Sequence, residues 1–307
     1  MVVTLFDHLP IDSLVRFRSS SKAADFRIGS YMSRKLEAHL RRFVSNTHDF
    51  LHELEITCSV VSGSTALAVI FRLSWTPNDL DVYVPRDLFW HVIAYLVNVE
   101  NYTVSFLDIS DYVSKKIHNV GRLSREGGQI IDVIQSESNS PLLPLTTFWN
   151  TALMNYVTPN SFCVSYPHLT DAHHALIFED GVASAGKARV PFPREPEELR
   201  RKYELRGFEL HLSPLSWIRT ADPSAQCTGI GSALCPLTMR YFGDRHCVTG
   251  SLYPLEGRKS KELRVDLLKV FTAVWWRGGQ TCGDGCAAAG VWVEGSSYAC
   301  SRSLLGE

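Results

Sequence analysis

Two stretches decide the fold of this chain of 307 residues: VVSGST at residues 60–65 and DLDVYV at residues 79–84. The first is a short apolar strand that runs into a Gly-Ser turn, and the apolar residues after it have the spacing of a helix with one buried face. The second is an apolar strand that carries Asp79 and Asp81. Because side chains alternate along a strand, both carboxylates leave the same face. Together the stretches predict a phosphate cradle beside a metal site.

The turn between the strand and the helix supports this interpretation. Gly63 lets the backbone approach a ligand closely, and Ser64 or Thr65 can cap the helix that follows. Free N–H groups and the positive end of the helix dipole would then hold a phosphate oxygen. Two carboxylates as close as Asp79 and Asp81 either raise one pKa strongly or recruit a cation, and their oxygen atoms suit Mg²⁺ or Mn²⁺.

A third acidic residue, Asp132, lies at the centre of the apolar run IIDVI. A lone buried charge there would cost several kcal/mol unless it is paired, protonated or bound to a metal. Asp132 is therefore the natural third ligand. One alternative is an ion pair with Arg122 or Arg125, and Asp108 and Asp111 are competing candidates for the third carboxylate.

These motifs resemble the nucleotidyltransferase superfold, the group that includes DNA polymerase beta, poly(A) polymerases and bacterial antibiotic nucleotidyltransferases. The family pattern is an apolar residue, Gly and Gly or Ser, then a spacer, then Asp-apolar-Asp, and later a single acidic residue between apolar ones. Gly63-Ser64, Asp79-Leu80-Asp81-Val82 and Ile131-Asp132-Val133 fill these positions, within a resemblance that covers about residues 48 to 160. Ser62 stands where the family usually has an apolar residue, and the spacer is at the long end of the family range.

The resemblance implies a fold class and a reaction. The fold would be α+β, with a mixed-sheet core flanked by helices. Gly63, Ser64 and Thr65 would hold a nucleoside triphosphate, and Asp79 and Asp81 would bind the metal ions that bridge it. Asp132 would complete a second metal site and help to deprotonate the attacking hydroxyl. The reaction would be nucleotidyl transfer to an unknown hydroxyl or phosphate acceptor; the alternative is an inactive domain of the same fold that serves as an interaction module.

Four regions are expected along the chain: 1–45, 46–160, 161–277 and 278–307. Residues 1–45 resemble the second half of an F-box, with a Leu9-Pro10 turn, Asp12 or Ser13 as a helix cap and a Ser21-Lys22 pair before the next helix. That resemblance implies a protein partner such as a ubiquitin-ligase adaptor. The alternative is a pair of amphipathic helices that pack on the main domain.

Periodicity predicts the remaining elements. Residues 86–100 have a helical apolar stripe, residues 102–107 alternate like a strand, and a hairpin across Gly127-Gly128 leads into the strand of Asp132. Residues 146–156 are predicted as a helix that closes the transferase domain. A surface helix is predicted between Pro196 and Gly207.

The C-terminal third of the chain contains most of the cysteines. Cys227, Cys235, His246 and Cys247 could bind Zn²⁺, although no C-x2-C pair is present and adjacent His and Cys residues rarely reach one ion. The alternative is a set of buried structural thiols. Residues 161–277 are expected to be helical and irregular, and the Gly- and Cys-containing residues 278–307 are expected to form a flexible tail.

Composition narrows the partners. With 21% charged residues, a formal net charge of −1 and a pI of about 6.8, bulk charge does not indicate binding to nucleic acid. The longest apolar run, residues 88–99, is too short to cross a bilayer. The chain has no P-loop, dinucleotide fingerprint or zincin motif. We expect an intracellular protein of the cytoplasm or nucleus with reduced cysteines.

Overall fold

The computed structural model describes residues 2–107, 116–178, 196–217, 232–253, 270–280, 292–293 and 295–305. Its α-helices are α1 (Val2–His8), α2 (Ile11–Arg18), α3 (Lys22–Leu40), α4 (Thr47–Ile56), α5 (Gly63–Phe71), α6 (Phe89–Asn98), α7 (Pro167–Asp171) and α8 (Pro196–Glu204). Short 3-10 helices lie at Arg86–Leu88, Pro144–Thr147, Thr151–Leu153 and Arg302–Leu305. The strands are β1 (Val60–Ser62), β2 (Asp79–Val84), β3 (Thr103–Phe106), β4 (Ile117–Ser124), β5 (Ile130–Ser136), β6 (Asn155–Val157), β7 (Ser161–Val164), β8 (His174–Leu176), β9 (Glu209–His211), β10 (Arg240–Tyr241), β11 (Val248–Ser251), β12 (Phe271–Trp276), β13 (Gly279–Gln280), β14 (Trp292–Val293) and β15 (Ser296–Ser301).

Within the described residues, eight strands form one mixed sheet in the order β11-β7-β6-β1-β2-β5-β4-β3. Neighbouring strands are antiparallel except β2 and β5, which run parallel. The parallel pair is possible because α6, β3 and β4 carry the chain from the end of β2 back to the start of β5. The molecule is therefore α+β with a large mixed sheet, as the sequence predicts.

The unit formed by β1, α5 and β2 has the order that the sequence predicts. Helix α5 is more deeply buried than its apolar spacing indicates, because every one of its residues is buried. It contacts β2 and β6 on one side and α3 on the other. The face of β2 that carries the carboxylates is also covered, since Tyr83 is 3% exposed and its ring meets Phe148 with centroids 5.8 Å apart.

The first 45 residues form α1, α2 and α3, which join the common core of the molecule. Phe6, Ile11 and Leu14 belong to the same cluster of buried residues as the strands of the large sheet. The guanidinium of Arg18 donates hydrogen bonds to the backbone carbonyls of Ser251 and Tyr253. This arrangement matches the alternative of amphipathic helices that pack on the main domain.

Strands also extend into the C-terminal regions. Strands β7 and β11 lie in the large sheet, so strand pairing crosses the predicted boundary at residue 160. A separate three-stranded sheet has the order β10-β12-β15, and β15 lies inside the stretch 278–307 that was expected to be a flexible tail. Residues 240–251, 271–276 and 296–301 are therefore more regular than their sequence indicates.

One secondary-structure prediction is wrong. Residues 146–156 were expected to form a helix, but the chain there makes two 3-10 turns and then enters β6. The side chain of Asn150 accepts a hydrogen bond from the backbone N–H of Ala152 at 2.9 Å, which closes a turn rather than a helix. Strand β6 pairs with β1 and β7 on its two sides. These distant pairings override the local apolar spacing.

The apolar run at residues 88–99 forms a 3-10 turn and α6, and its predicted stripe is confirmed by the burial of Phe89, Val92, Ile93 and Leu96. The helix has 10 residues. Across the ranges that the structure describes, we find no helix whose length and apolar composition would let it traverse a bilayer. Strand β3, the hairpin of β4 and β5, and helix α8 also lie where the sequence predicts them.

Candidate functional site

The three predicted carboxylates lie on two adjacent strands in the middle of the large sheet. Asp79 and Asp81 are on β2, and Asp132 is on the parallel neighbour β5. The register pairs Asp81 with Asp132, and adjacent strands are about 4.8 Å apart. Since residues in register point to the same face, the structure brings Asp81 and Asp132 together, with Asp79 on the same face two residues earlier.

The start of α5 closes over this group of carboxylates. Gly63 has φ +63°, and a Cβ atom added there would lie 2.1 Å from Asp81 Oδ2. The carboxylate of Asp81 therefore packs directly on the Cα of Gly63, at the first residue of the helix. Thr65 Oγ1 donates a hydrogen bond to the backbone carbonyl of Asp79 at 3.1 Å, and Ser64 Oγ lies 3.5 Å from Asp79 Oδ1. The Gly-Ser turn and the Asp-x-Asp strand thus form one continuous site.

The residue that caps α5 differs from the predicted one. Ser62 occupies the N-cap position, and its side chain makes no capping hydrogen bond. Ser64 and Thr65 lie inside the first turn. The Ser62 hydroxyl instead donates a hydrogen bond to the backbone carbonyl of Asn155 on β6. This bond satisfies a polar side chain at a fully buried position.

Asp81 is the electrostatically unusual member of the site. It is 6% exposed, and its Oδ1 atom has no hydrogen-bond partner among the described residues. Burial raises the pKa of the Asp81 carboxyl well above its usual range, and the negative charges of Asp79 and Asp132 raise it further. The positive charges of Lys202 and Arg122 act in the opposite direction. A buried acceptor in such surroundings is stabilised by a proton or by a cation.

Asp132 has a different partner. Arg122 lies opposite it in the antiparallel register of β4 and β5. Its Nε donates to Asp132 Oδ1 at 2.8 Å and its Nη2 donates to Oδ2 at 2.7 Å. Asp132 is fully buried, so this two-bond pair compensates a charge that would otherwise be costly. The ion pair with Arg122 was the alternative to a metal for this residue, and Arg125 instead contacts Glu100.

Helix α8 contributes residues that the sequence interpretation missed. Tyr203 is 3% exposed, and burial together with the charges of Asp81 and Asp79 raises its pKa. Its neighbour Lys202 is close enough to lower the pKa of Asp81. The missed signal is the pair Leu199 and Tyr203, both buried and one helical turn apart, which shows that α8 has an inner face.

Two observations bear on which residues could hold a metal. Among the residues that the structure describes, no group of three or more His, Cys, Asp or Glu side chains has the geometry of a metal site. In the carboxylate group, Arg122 donates to both oxygens of Asp132, Asp79 is half-buried, and Asp81 Oδ1 has no hydrogen-bond partner in the part of the chain that the structure describes. Of the three carboxylates, Asp79 and Asp81 are therefore the ones that could serve as oxygen ligands, whereas Asp132 could do so only if the guanidinium of Arg122 moved aside.

The predicted zinc ligands stay untested as a set, because Cys227 lies outside the described residues. Cys235 is buried. Cys247 Sγ donates to the backbone carbonyl of Tyr241 at 3.6 Å, and the backbone N–H of His246 donates to Asp244 at 2.9 Å. The candidates Asp108 and Asp111 for the third carboxylate also fall outside the described part of the chain.

Comparisons with known proteins add no further residues to the site. A scan of the chain against models of protein families and a search of curated proteins both found no match.

Proposed function

We propose that this chain is a metal-dependent nucleotidyltransferase, which moves a nucleotidyl group from a nucleoside triphosphate to a hydroxyl or phosphate acceptor. The observation that carries the proposal is the contact between the Gly-Ser turn and the Asp-x-Asp strand. Asp81 packs on Gly63 at the start of α5, beside Asp79 on the same strand and Asp132 on the next. This places a helix N-terminus, which suits phosphate, next to carboxylates, which suit a cation.

The charges of the site support a triphosphate with its metal ion. Three carboxylates lie near the positive charges of Arg122 and Lys202, and one oxygen of Asp81 has no hydrogen-bond partner among the residues described. When bound, Mg²⁺ or Mn²⁺ would neutralise the triphosphate and stabilise the charge that develops during phosphoryl transfer. Asp79 and Asp81 are the residues that would hold it.

The other residues of the site have positioning roles in this proposal. Backbone N–H groups at Ser64 and Thr65 would bind phosphate oxygens at the start of α5. Lys202 would bring a positive charge from α8 to the same phosphates. Asp132 would accept the proton of the attacking hydroxyl, and Arg122 would hold its carboxylate in place until then.

The test is isothermal titration of nucleoside triphosphates into the wild-type protein with and without Mg²⁺ or Mn²⁺. We expect binding that requires the metal. The double variant Asp79→Asn/Asp81→Asn should bind about 100-fold more weakly, because two oxygen ligands lose their charge. The matched control is Asp87→Asn, an exposed Asp just after the same strand whose Oδ2 accepts from Asn139. Absence of metal-dependent binding in the wild type would remove the proposal.

A second candidate function is an inactive domain of this fold that serves as an interaction module. The observation in its favour is the pair of hydrogen bonds from Arg122, which occupies a predicted metal ligand. Residues 1–45, where a protein partner is predicted to bind, also carry exposed apolar side chains. Leu5, Phe17 and Phe26 are 53%, 45% and 63% exposed.

This second candidate makes its own prediction. A pull-down with a ubiquitin-ligase adaptor should lose signal in the variant Phe17→Ser/Phe26→Ser, which leaves the buried residues of α2 and α3 in place. Deletion of residues 1–45 is a poor test, because these helices are part of the core. An unchanged pull-down signal in the double variant would exclude this surface as the contact.

A further inference from the structure

A second site lies at one edge of the large sheet, away from the central strands that hold the Gly-Ser turn and the carboxylates. It is a cavity of about 630 Å³ beside the edge strand β11, and its wall also includes α2 and the segment that enters α7. Three strands, β1, β6 and β7, separate β11 from the Asp-x-Asp strand β2. At about 4.8 Å per strand, β11 lies about 19 Å from β2 across the sheet. The cavity is therefore distinct from the carboxylate site.

Positive side chains dominate the charged part of this cavity. Arg16 on α2 and Arg245 before β11 line it, together with the imidazoles of His168 and His246. Asp12 is the acidic side chain among the lining residues. The contact of Asp12 with Arg16 is 3.7 Å long, and the Arg16 side chain is 83% exposed, so this pair contributes little. The lining as a whole favours a negatively charged ligand.

The rest of the lining is mostly apolar, with Val15, Leu169 and Val248 from three different segments. Ser165 also lines the cavity. It is fully buried, and its Oγ has no hydrogen-bond partner in the described part of the chain, which is unusual for a buried hydroxyl. An apolar wall with a few polar groups and a volume of this size is typical of sites for small molecules.

We propose that this cavity binds a small organic anion, in which a carboxylate or phosphate monoester contacts the arginines and an apolar body rests on the aliphatic wall. Cys247 provides a reporter, because it is half-buried and also lines the cavity. Cys163 on β7, whose thiol is hydrogen-bonded to that of Cys247, is fully buried and serves as an unreactive reference. A bound ligand shields Cys247 from alkylation.

The experiment measures alkylation of Cys247 by iodoacetamide in the full chain, quantified by mass spectrometry of its peptide. Phenyl phosphate and benzoate are the probes, and the uncharged benzyl alcohol is their control. We expect saturable protection by at least one of the two anions and none by benzyl alcohol at the same concentration. The anion that protects Cys247 at the lower concentration shows whether the cavity prefers a phosphate monoester or a carboxylate. If inorganic phosphate protected Cys247 as well as the organic anions do, the apolar wall would have no role in binding. If neither organic anion protected Cys247, the proposal would be overturned.

Charge variants make the test specific. Arg16→Gln and Arg245→Gln should each raise the concentration needed for protection about tenfold, because each removes a charged donor. Asp12→Asn should lower that concentration, and it keeps the acceptor for the backbone N–H of Ser13. Arg41→Gln is the control, since Arg41 is exposed and lies outside the cavity. The proposal fails if Arg41→Gln and Arg245→Gln behave alike.

A last variant separates this proposal from the nucleotidyltransferase proposal. Asp81→Asn should leave the protection of Cys247 unchanged, because the two sites are several strands apart. A loss of protection in Asp81→Asn would place the anion at the carboxylate site and would also overturn the second site.

Discussion

Two buried groups of charges in this molecule are arranged in opposite ways. At Arg240 and Asp244, both side chains are less than 10% exposed and every charge has a partner. Arg240 donates to both oxygens of Asp244 and to the carbonyl of Ser165, and it stacks over the ring of Tyr166 at 4.8 Å. At the carboxylate site, three acidic groups share two nearby positive charges, and Asp81 Oδ1 has no partner within the described ranges.

The difference teaches how to separate structural charges from functional ones. A complete ion pair such as Arg240 and Asp244 neutralises itself and needs nothing from outside the chain. At the carboxylate site, negative charges outnumber the positive charges that act on Asp81, and burying that excess costs free energy unless a proton or a cation compensates it. Such an excess of one charge at a buried position is typical of a site that is completed by a ligand. The four predictions below test this comparison.

The largest effect is expected at the complete pair. Arg240→Met should lower the free energy of unfolding by about 3–5 kcal/mol, because Asp244 is left buried with no cation. Urea denaturation measures the loss. The control is Arg41→Met, which removes an exposed pair with Glu37 and should cost less than about 1 kcal/mol. If the free energy of unfolding falls by the same amount in both variants, the ion pair of Arg240 and Asp244 does not stabilise the fold more than a surface pair does.

The next effect concerns the contact between the turn and the strand. Gly63→Ala should cost about 2–4 kcal/mol, because the new Cβ meets Asp81 Oδ2 and because φ is positive. Gly128→Ala is the matched control: it also has positive φ, but a Cβ there meets no atom within 4 Å. It should cost only about 1–2 kcal/mol. Equal losses in urea denaturation would show that the turn does not press on Asp81.

A smaller effect, of the opposite sign, is expected when the excess charge is removed. In buffer with EDTA, Asp81→Asn should raise the free energy of unfolding by about 1–3 kcal/mol at neutral pH, because it relieves burial of a charge beside Asp79 and Asp132. Asp244→Asn should instead destabilise the protein. A stability loss in both variants would mean that Asp81 is as well compensated as Asp244.

The smallest effect is the pH dependence of these two contributions. Because the folded-state pKa of Asp81 is raised, its contribution to stability becomes less favourable as the pH rises from the unfolded pKa toward the folded one. For Asp244, burial alone would raise the pKa, but the hydrogen bond and charge of Arg240 lower it. Its contribution is present above the unfolded pKa and is lost as the pH falls through the folded pKa.

The free energy of unfolding is measured by urea titration from about pH 3 to about pH 7 for the wild type, Asp81→Asn and Asp244→Asn. The difference between the wild type and each variant should change with pH in opposite directions, by at most about 1.4 kcal/mol per pH unit for each group. Slopes of the same sign would remove the distinction between the two sites.

Local patterns were sufficient to predict the part of the fold that holds the candidate site. The Gly-Ser turn, the Asp-x-Asp strand and the hairpin before Asp132 are all set by residues close together in sequence. The partner of Asp132 could be narrowed only to Arg122, Arg125 or a metal, because a one-residue change in register decides which side chain lies opposite it. The resemblance to nucleotidyltransferases stays a prediction.

Features that depend on distant pairing could not be predicted. Residues 146–156 have the apolar spacing of a helix, but this stretch leads into β6, which pairs with β1 and β7. Lys202 and Tyr203 come close enough to interact electrostatically with Asp81 only because of where α8 packs in the fold. The short strands of residues 240–301 carry little periodicity, because two to six residues are too few to define a pattern.

The hydrogen bonds between Arg18 and the carbonyls of Ser251 and Tyr253 have a consequence for how the protein is made. Arg18 leaves the ribosome 233 residues before Ser251, so α2 cannot complete these bonds until residue 253 has also emerged. Contacts of such long sequence separation slow folding. We therefore expect the N-terminal helices to reach their final positions only after most of the chain has been translated, and a chain that terminates before residue 251 to leave the guanidinium of Arg18 without these acceptors.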